Sequence, residues 1–435
     1  MMEKIISLGI FFLTLYLVIK KPKGIDIGWS ATFGSFLAFI FGVVSVNDIF
    51  KVVEIVWDPT LAFIGIIFIS LILDKIGFFE WAALHIIKFS KGDGKKLFIY
   101  LILLGSVISA FFANDGSALI LTPIVYQKIK HLGLNQKYML PYIMGSGFVS
   151  DTTSLPLIIS NLVNILTADF FKIGFFEYAS VMIWVNLFSL FATVIVLYLY
   201  FKKDLLKKVD LEAIEDKPPK YAIKDRFLFK LSWFVFFILF LGFFVAEHFN
   251  IPVSFVIGLG ALILGIATYK EEIVDMKKLV LIETPWKIIV FSIGMYVVVY
   301  GLKNAGFSEV LAFIIKESVD TSLNTGVLIT GFLAAILSSI MNNLPSVMIV
   351  NLSILDTGLD IQTMKILAYA NIIGCDLGPK ITPIAFSCNT FMASVLDQKG
   401  IHISWRYYFK VGVVLTLPTL FFTLLGLIIV NNLVK

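Results

Sequence analysis

Long apolar stretches alternate with short polar segments along the whole chain. Stretches that can enter about 30 Å of hydrocarbon lie near 4–20, 29–45, 60–74, 97–126, 139–168, 174–200, 231–249, 252–269, 287–302, 325–354, 363–396 and 407–433. In a bilayer such stretches form helices, because a helix satisfies its own backbone hydrogen bonds. The pattern predicts an all-α polytopic membrane protein.

Composition supports this interpretation. Hydrophobic residues make up 59% of the 435 residues and charged residues only 15%, which is more apolar surface than a soluble domain can hide. The apolar segment 4–20 is followed by lysines rather than by a cleavage site, so we interpret it as a first span. We therefore expect a multi-pass membrane protein.

The remaining composition excludes several other classes. The basic residues lie in short loops rather than on one face, which argues against nucleic-acid binding. Cys375 and Cys388 do not have metal-ligand spacing. We expect neither a metal nor another cofactor.

Two of the apolar stretches, 97–126 and 325–354, carry polar clusters in their middles. If both are re-entrant hairpins, 26 of the 35 Lys and Arg residues fall in loops on one side, including nine in the segment 202–230. By the positive-inside rule that segment is cytoplasmic. The expected topology has about 10 spans and 2 hairpins.

The two halves of the chain are related by a repeat with an offset of 229 residues. Matching residues are Gly77 and Gly306, Glu80 and Glu309, Ser109 and Ser338, Asn114 and Asn343, Gly145 and Gly374, and Thr153 and Thr382. With five crossings before the linker, the second half enters the membrane inverted, as in secondary transporters. We divide the chain into an N-terminal repeat 1–201, a linker 202–230 and a C-terminal repeat 231–435.

Each repeat is interrupted twice by polar residues at membrane depth, at a hairpin tip and in a broken helix. An ionisable residue there costs at least about 2.5 kcal/mol, which favours a functional role. Free helix ends at such breaks attract polar ligands. We expect the four breaks to form one substrate site, with these candidates: Asn114, Asp115, Asp151, Thr152, Thr153, Ser154, Asn342, Asn343, Asp376, Lys380 and Thr382.

The charges of the candidate site are asymmetric between the repeats. The unlike equivalents are Asp115 and Leu344, Asp151 and Lys380, and Gly147 and Asp376. A carboxyl group that is alternately dry and wet, and near a lysine, is suited to carrying a proton. The proton-coupling candidates are Asp115 and Asp376.

Structural roles for the same residues remain open. Asp151, which precedes Thr152 and Thr153, could be a helix N-cap. Asp376 and Lys380 are four residues apart and could form an ion pair on one helical face. The repeat-related positions of all four breaks favour the functional interpretation of the set.

Seven motifs together resemble the bacterial arsenite efflux permease family, the ArsB type within the ion transporter superfamily. They are LILDKIGFFEW at 71–81, FFANDG at 111–116, ALILTPIV at 118–125, DTTSLPL at 151–157, FSIGMY at 291–296, SSIMNN at 338–343 and DLGPKITP at 376–383. The resemblance covers essentially the whole chain. Small departures at Lys75, Ser117 and Cys375 leave every polar break in place.

The resemblance implies export of arsenite and antimonite as neutral trihydroxides in exchange for protons, which would confer arsenic resistance. It also implies a location in a bacterial or archaeal cell membrane and a scaffold joined to a moving transport domain. Members of the family act either alone or with a soluble arsenite-stimulated ATPase. Asn, Thr and Ser side chains of the candidate site suit a neutral trihydroxide. Cys375, although trivalent arsenic is thiophilic, is expected to be dispensable.

Other functions remain alternatives. A dicarboxylate or citrate carrier of the same superfamily would share the plan, but Asp115 would repel an anion. Paired intramembrane carboxylates would also suit a sodium/proton antiporter. Inverted repeats with broken helices favour alternating access over a channel, and the sequence has no nucleophile and base at useful spacing for an enzyme.

Overall fold

The computed structural model describes residues 2–112, 114, 121–127, 136–210, 218–382 and 404–434. Within these ranges the chain forms α1 (Met2–Lys20), α2 (Ile27–Ile40), α3 (Val46–Lys75), α4 (Phe78–Phe89), α5 (Gly94–Phe111), α6 (Gln136–Thr152), α7 (Leu162–Phe170), α8 (Phe175–Phe201), α9 (Arg226–Phe249), α10 (Val253–Lys270), α11 (Trp286–Asn304), α12 (Phe307–Thr321), α13 (Leu323–Met341), α14 (Asn343–Asp356), α15 (Ile361–Leu377) and α16 (Trp405–Val434). Nine helical segments of the described part are long and apolar enough to cross a membrane. The predicted all-α polytopic fold is confirmed.

The helices of the second half repeat those of the first. Shifting α3 by 229 residues gives 275–304, which covers the short helix Met276–Lys278, the π-helical turn Leu279–Glu283 and α11. The same shift carries α5 onto α13 and α8 onto α16 within a few residues. Helix α9, the counterpart of α1, begins at Arg226, inside the range predicted as linker.

Six helices form a first bundle: α1, α2, α3, α9, α10 and α11. Helix α2 packs on α11 in this bundle. The repeat counterpart of α2 is α10, and the counterpart of α11 is α3; these two helices also pack on each other. This exchange of partners is what a two-fold relation between the repeats requires. Asp58 of α3 accepts a hydrogen bond from Ser254 N (2.9 Å) and so caps the start of α10 inside this bundle.

A second bundle contains α5, α6, α7, α8, α13, α14, α15 and α16. Helix α5 packs on α6 and α13 on α15, while α8 and α16 pack on each other. The predicted hairpin 325–354 is present as α13 and α14, which turn at Asn342 with a positive φ of 79°. In the other hairpin the structure describes α5, Asn114 and a helical stretch at 121–127, and the rest of its tip lies outside the described residues.

Both predicted broken helices occur in the second bundle. Helix α6 ends at Thr152, and the chain then runs through a 3₁₀ turn at Ile158–Ser160 before α7 begins. Helix α15 ends at Leu377 and continues as a 3₁₀ turn over Gly378–Ile381. Asp151 therefore lies in the last turn of a helix, so the N-cap interpretation of this residue was wrong.

Short helices α4 and α12 connect the two bundles in each repeat. Gly77 and Gly306 precede them at φ values of 85° and 78°, a left-handed conformation that favours glycine. The described parts of the linker lie against α4 and α5: Lys224 N donates to Ile76 O (3.0 Å), and Val209 N donates to Gly92 O (2.8 Å). We call this end of the molecule the linker side.

Candidate functional site

The first hairpin is docked on the broken helix of its own repeat. Ser109 Oγ donates to Ser150 O (2.7 Å), and Ser160 Oγ donates to Ala110 O (2.6 Å). Asn114, at the tip, donates from Nδ2 to Asp151 Oδ1 (2.9 Å). The hairpin tip and the broken helix of the first repeat therefore meet at Asp151.

The second hairpin is docked in the same way. Ser338, the repeat counterpart of Ser109, donates from Oγ to Gly374 O (3.2 Å), and Thr382 Oγ1 donates to Ser339 O. At the tip, Asn342 Oδ1 accepts from Asn343 N (2.6 Å), and Asn343 Oδ1 accepts from Leu344 N (2.9 Å). Neither Nδ2 group of this pair donates a hydrogen bond to another described residue.

The two repeats are joined by a buried ion pair between their broken helices. Lys380 Nζ lies 2.7 Å from Asp151 Oδ2, and both side chains are 1% exposed. The same ammonium donates to Gly147 O (2.6 Å). Asp151 is the repeat counterpart of Lys380 itself, and Gly147 is the repeat counterpart of Asp376. Lys380 thus contacts both of these positions of the first repeat. The ion pair is formed between the repeats, not along one helix.

Asp376 forms the second junction between the repeats. Ser154 Oγ lies 3.1 Å from Asp376 Oδ2, and Asn161 donates from Nδ2 to Asp376 Oδ1. Asn161 also caps α7, because its Oδ1 accepts from Val163 N (3.1 Å). Sequence reasoning missed Asn161; a polar residue within the apolar stretch 139–168 was the available signal.

Two other candidates, Thr152 and Thr153, make hydrogen bonds near the end of α6. Thr152 faces α8, where Ser189 donates to its carbonyl and Thr193 lies 3.0 Å from its hydroxyl. Thr153 donates to Val149 O in its own helix (2.7 Å). Asp115, one of the two proton-coupling candidates, lies outside the described residues.

A chain of polar side chains leads away from the site through the second bundle. Cys375 Sγ donates to Asn371 Oδ1 (3.2 Å), and Asn371 Nδ2 donates to Asn351 Oδ1 (2.9 Å). Asn351 Nδ2 then donates to Thr167 Oγ1 (3.1 Å). All are buried, so this network ties α14, α15 and α7 together behind Asp376.

The geometry can present a small polar molecule with amide, hydroxyl and carboxylate groups that are shielded from lipid. Broken helices from two inverted repeats, which meet at a charged cluster inside a helical bundle, are typical of membrane transporters. The class of this protein is therefore a membrane transporter with an inverted-repeat fold.

Comparisons with known proteins identify the family. The family model "Arsenical pump membrane protein" matches residues 6–431, and the chain belongs to that family. The arsenical pump membrane protein of Escherichia coli K12 is 50% identical over 419 residues, which cover 96% of this chain and 97% of that protein. The arsenical pump membrane protein of Yersinia enterocolitica is 48% identical over 419 residues, which also cover 96% of this chain and 97% of that protein.

More distant relatives extend the comparison. A putative arsenical pump membrane protein of Bacillus subtilis is 29% identical over 431 residues, 95% of this chain and 97% of that one. The crystal structure of the YdaH transporter of Alcanivorax borkumensis has a TM-score of 0.56 with 11% identity, and covers 99% of this chain and 98% of that one. At that identity the likeness concerns the fold alone.

Proposed function

We propose that this protein exports trivalent metalloids, arsenite and antimonite as neutral trihydroxides, in exchange for protons, and so confers arsenic resistance. The observation that carries the proposal is the junction of both broken helices at Asp151, Lys380 and Asp376. Family membership supports the cargo, since relatives along the whole chain are named arsenical pump membrane proteins.

The described side chains suit a neutral cargo. A trihydroxide both donates and accepts hydrogen bonds, and the Nδ2 groups of Asn342 and Asn343 offer donors at a hairpin tip. Buried polar groups that pair only with the correct ligand also provide discrimination. The site contains two buried carboxylates, Asp151 and Asp376, and one buried lysine, Lys380, and this excess of acid disfavours a dicarboxylate or citrate.

Asp376 is our preferred proton carrier. Its protonation would change the hydrogen bonds with Ser154 and Asn161, which join the two repeats, and would leave the ion pair of Asp151 with Lys380 intact. Asp115 remains a second candidate from the sequence. From the charge distribution we also place the linker in the cytoplasm, as the positive-inside rule requires.

Retention of arsenic by cells tests the cargo. Cells that lack their own efflux system are loaded with arsenite, with or without this protein, and retained arsenic is measured by mass spectrometry. We expect the protein to lower retained arsenic and Asp376→Asn to restore it. Equal retention with and without the inserted protein would reject arsenite as cargo.

Adding the soluble ATPase implied by the family resemblance tests whether such a partner increases export.

A further inference from the structure

An apolar cavity of about 330 Å³ lies between the first and second bundles. Helices α3, α4, α9 and α10 line one side, and α5, the α6–α7 connection and the start of α8 line the other. Every lining side chain is aliphatic or aromatic. Such a lining does not hold ordered water, which needs two to four polar partners.

The mouth of the cavity opens on the surface that faces lipid. Val107, Phe111, Trp233 and Phe240 line it and are 49–58% exposed. They lie on α5 and α9, two helices with the length and hydropathy of membrane spans. The surrounding hydrocarbon is therefore continuous with the interior of the cavity.

The dimensions of the cavity match one leaflet. Along α9 its lining runs from Trp233 to Phe243, ten residues or about 15 Å, which is half of the hydrocarbon thickness of about 30 Å. Phe243 stacks on Phe175 (centroids 4.5 Å apart) at the end away from the linker side. At the other end Phe78 lies 5.5 Å from Trp233.

Basic residues follow the aromatic ones at the linker end. On α9, Arg226 and Lys230 precede Trp233 at helical spacings of seven and three residues, which places all three on one face. On α4, Lys88 follows Trp81 by seven residues in the same manner. All three basic residues are exposed, so positive charge borders the end of the cavity where a lipid phosphate would lie.

We propose that this cavity binds one acyl chain of an acidic phospholipid from the linker-side leaflet, with the lipid phosphate held by Arg226, Lys230 and Lys88. The occupant lies between the two bundles, so its binding couples lipid composition to their relative movement. This site is separate from the polar junction at Asp376 and does not depend on the identity of the cargo.

Retained lipid, counted by native mass spectrometry, tests the site. The protein is extracted from membranes of equal phosphatidylglycerol and phosphatidylcholine. We expect the parent protein to retain one phosphatidylglycerol per chain. Ala82→Trp fills the cavity and should retain at least fivefold less lipid. The double variant Arg226→Gln with Lys230→Gln should lose the preference for phosphatidylglycerol. The control, Lys270→Gln with Lys277→Gln, removes the same charge elsewhere on the linker side and should retain phosphatidylglycerol.

Two results would overturn the proposal. The first is that the parent protein retains phosphatidylglycerol and phosphatidylcholine equally. The second is that the Arg226 and Lys230 variant retains as much phosphatidylglycerol as the Lys270 and Lys277 control. Because these four residues are exposed, the comparison remains decisive even where Ala82→Trp fails to fold.

Discussion

Asp151 and Lys380 occupy equivalent positions of the two repeats, 229 residues apart in sequence, and their side chains meet at 2.7 Å in the protein interior. A two-fold axis brings equivalent positions together, so an acid in one repeat and a base in the other become partners. The symmetry of the repeats therefore explains why these two positions are in contact, and the sequence difference between the repeats explains why they carry opposite charges.

The ion pair predicts a strong coupling between the two residues. Removing one partner leaves a buried charge, so Asp151→Asn or Lys380→Met should each lower the free energy of unfolding by about 3 kcal/mol. The double variant should recover most of that loss. Unfolding in detergent measures the three values.

A second ion pair serves as its control. Lys365 and Glu177 lie 2.6 Å apart, but their side chains are 16% and 40% exposed. Neutralising them should give a coupling below about 1 kcal/mol. Equal coupling energies in the two pairs would contradict the account of Asp151 and Lys380.

Asp376 is predicted to couple transport to protons. Asp376→Asn cannot exchange a proton, so arsenite movement driven by a pH gradient should fall at least tenfold, while exchange of labelled for unlabelled arsenite continues. Asp356→Asn, at the exposed end of α14, is the matched control. Gradient-driven transport that persists in Asp376→Asn would remove this residue as the carrier.

Asn161 is predicted to serve both folding and transport. Asn161→Ser can still cap α7 but is too short to keep the hydrogen bond with Asp376. Loss of this one hydrogen bond to a carboxylate should lower the free energy of unfolding by about 1.5–3 kcal/mol, with no further loss from the cap, and transport should fall at least tenfold. Transport at the parental rate would show that Asn161 acts only as a cap.

Cys375 is predicted to be dispensable. Its thiol is buried and donates to Asn371, so Cys375→Ala should keep more than half of the arsenite transport rate, and Cys375→Ser should behave alike. Complete loss of transport in a normally inserted Cys375→Ala protein would instead support coordination of arsenic by the thiol.

The equivalent glycines before α4 and α12 allow a matched comparison. Both have positive φ, and an added Cβ costs about 1 kcal/mol there. At Gly77 that Cβ would also lie 1.9 Å from Ala222 O, whereas at Gly306 its nearest neighbour is 3.3 Å away. Gly77→Ala should therefore destabilise the protein by clearly more than Gly306→Ala in thermal unfolding. Equal effects would argue against the close contact between linker and α4.

The sequence predicted the spans, the repeat and the polar breaks because each depends on local composition and spacing. It did not predict the partners. Whether Lys380 pairs with Asp376 on its own helix or with Asp151 of the other repeat depends on how the repeats pack. The sequence left open an N-cap role for Asp151, because Asp before Thr is typical of a helix start, but the helix ends there. Asn161 was missed because one polar residue in an apolar stretch does not reveal its distant partner.

The most direct test is arsenite uptake into everted membrane vesicles that contain this protein, with an imposed pH gradient and after its collapse. We predict uptake that requires the gradient and is lost in Asp376→Asn. Uptake that is unchanged when the gradient collapses would contradict proton exchange. Absence of arsenite uptake, with dicarboxylates or sodium moving instead, would contradict the proposed cargo.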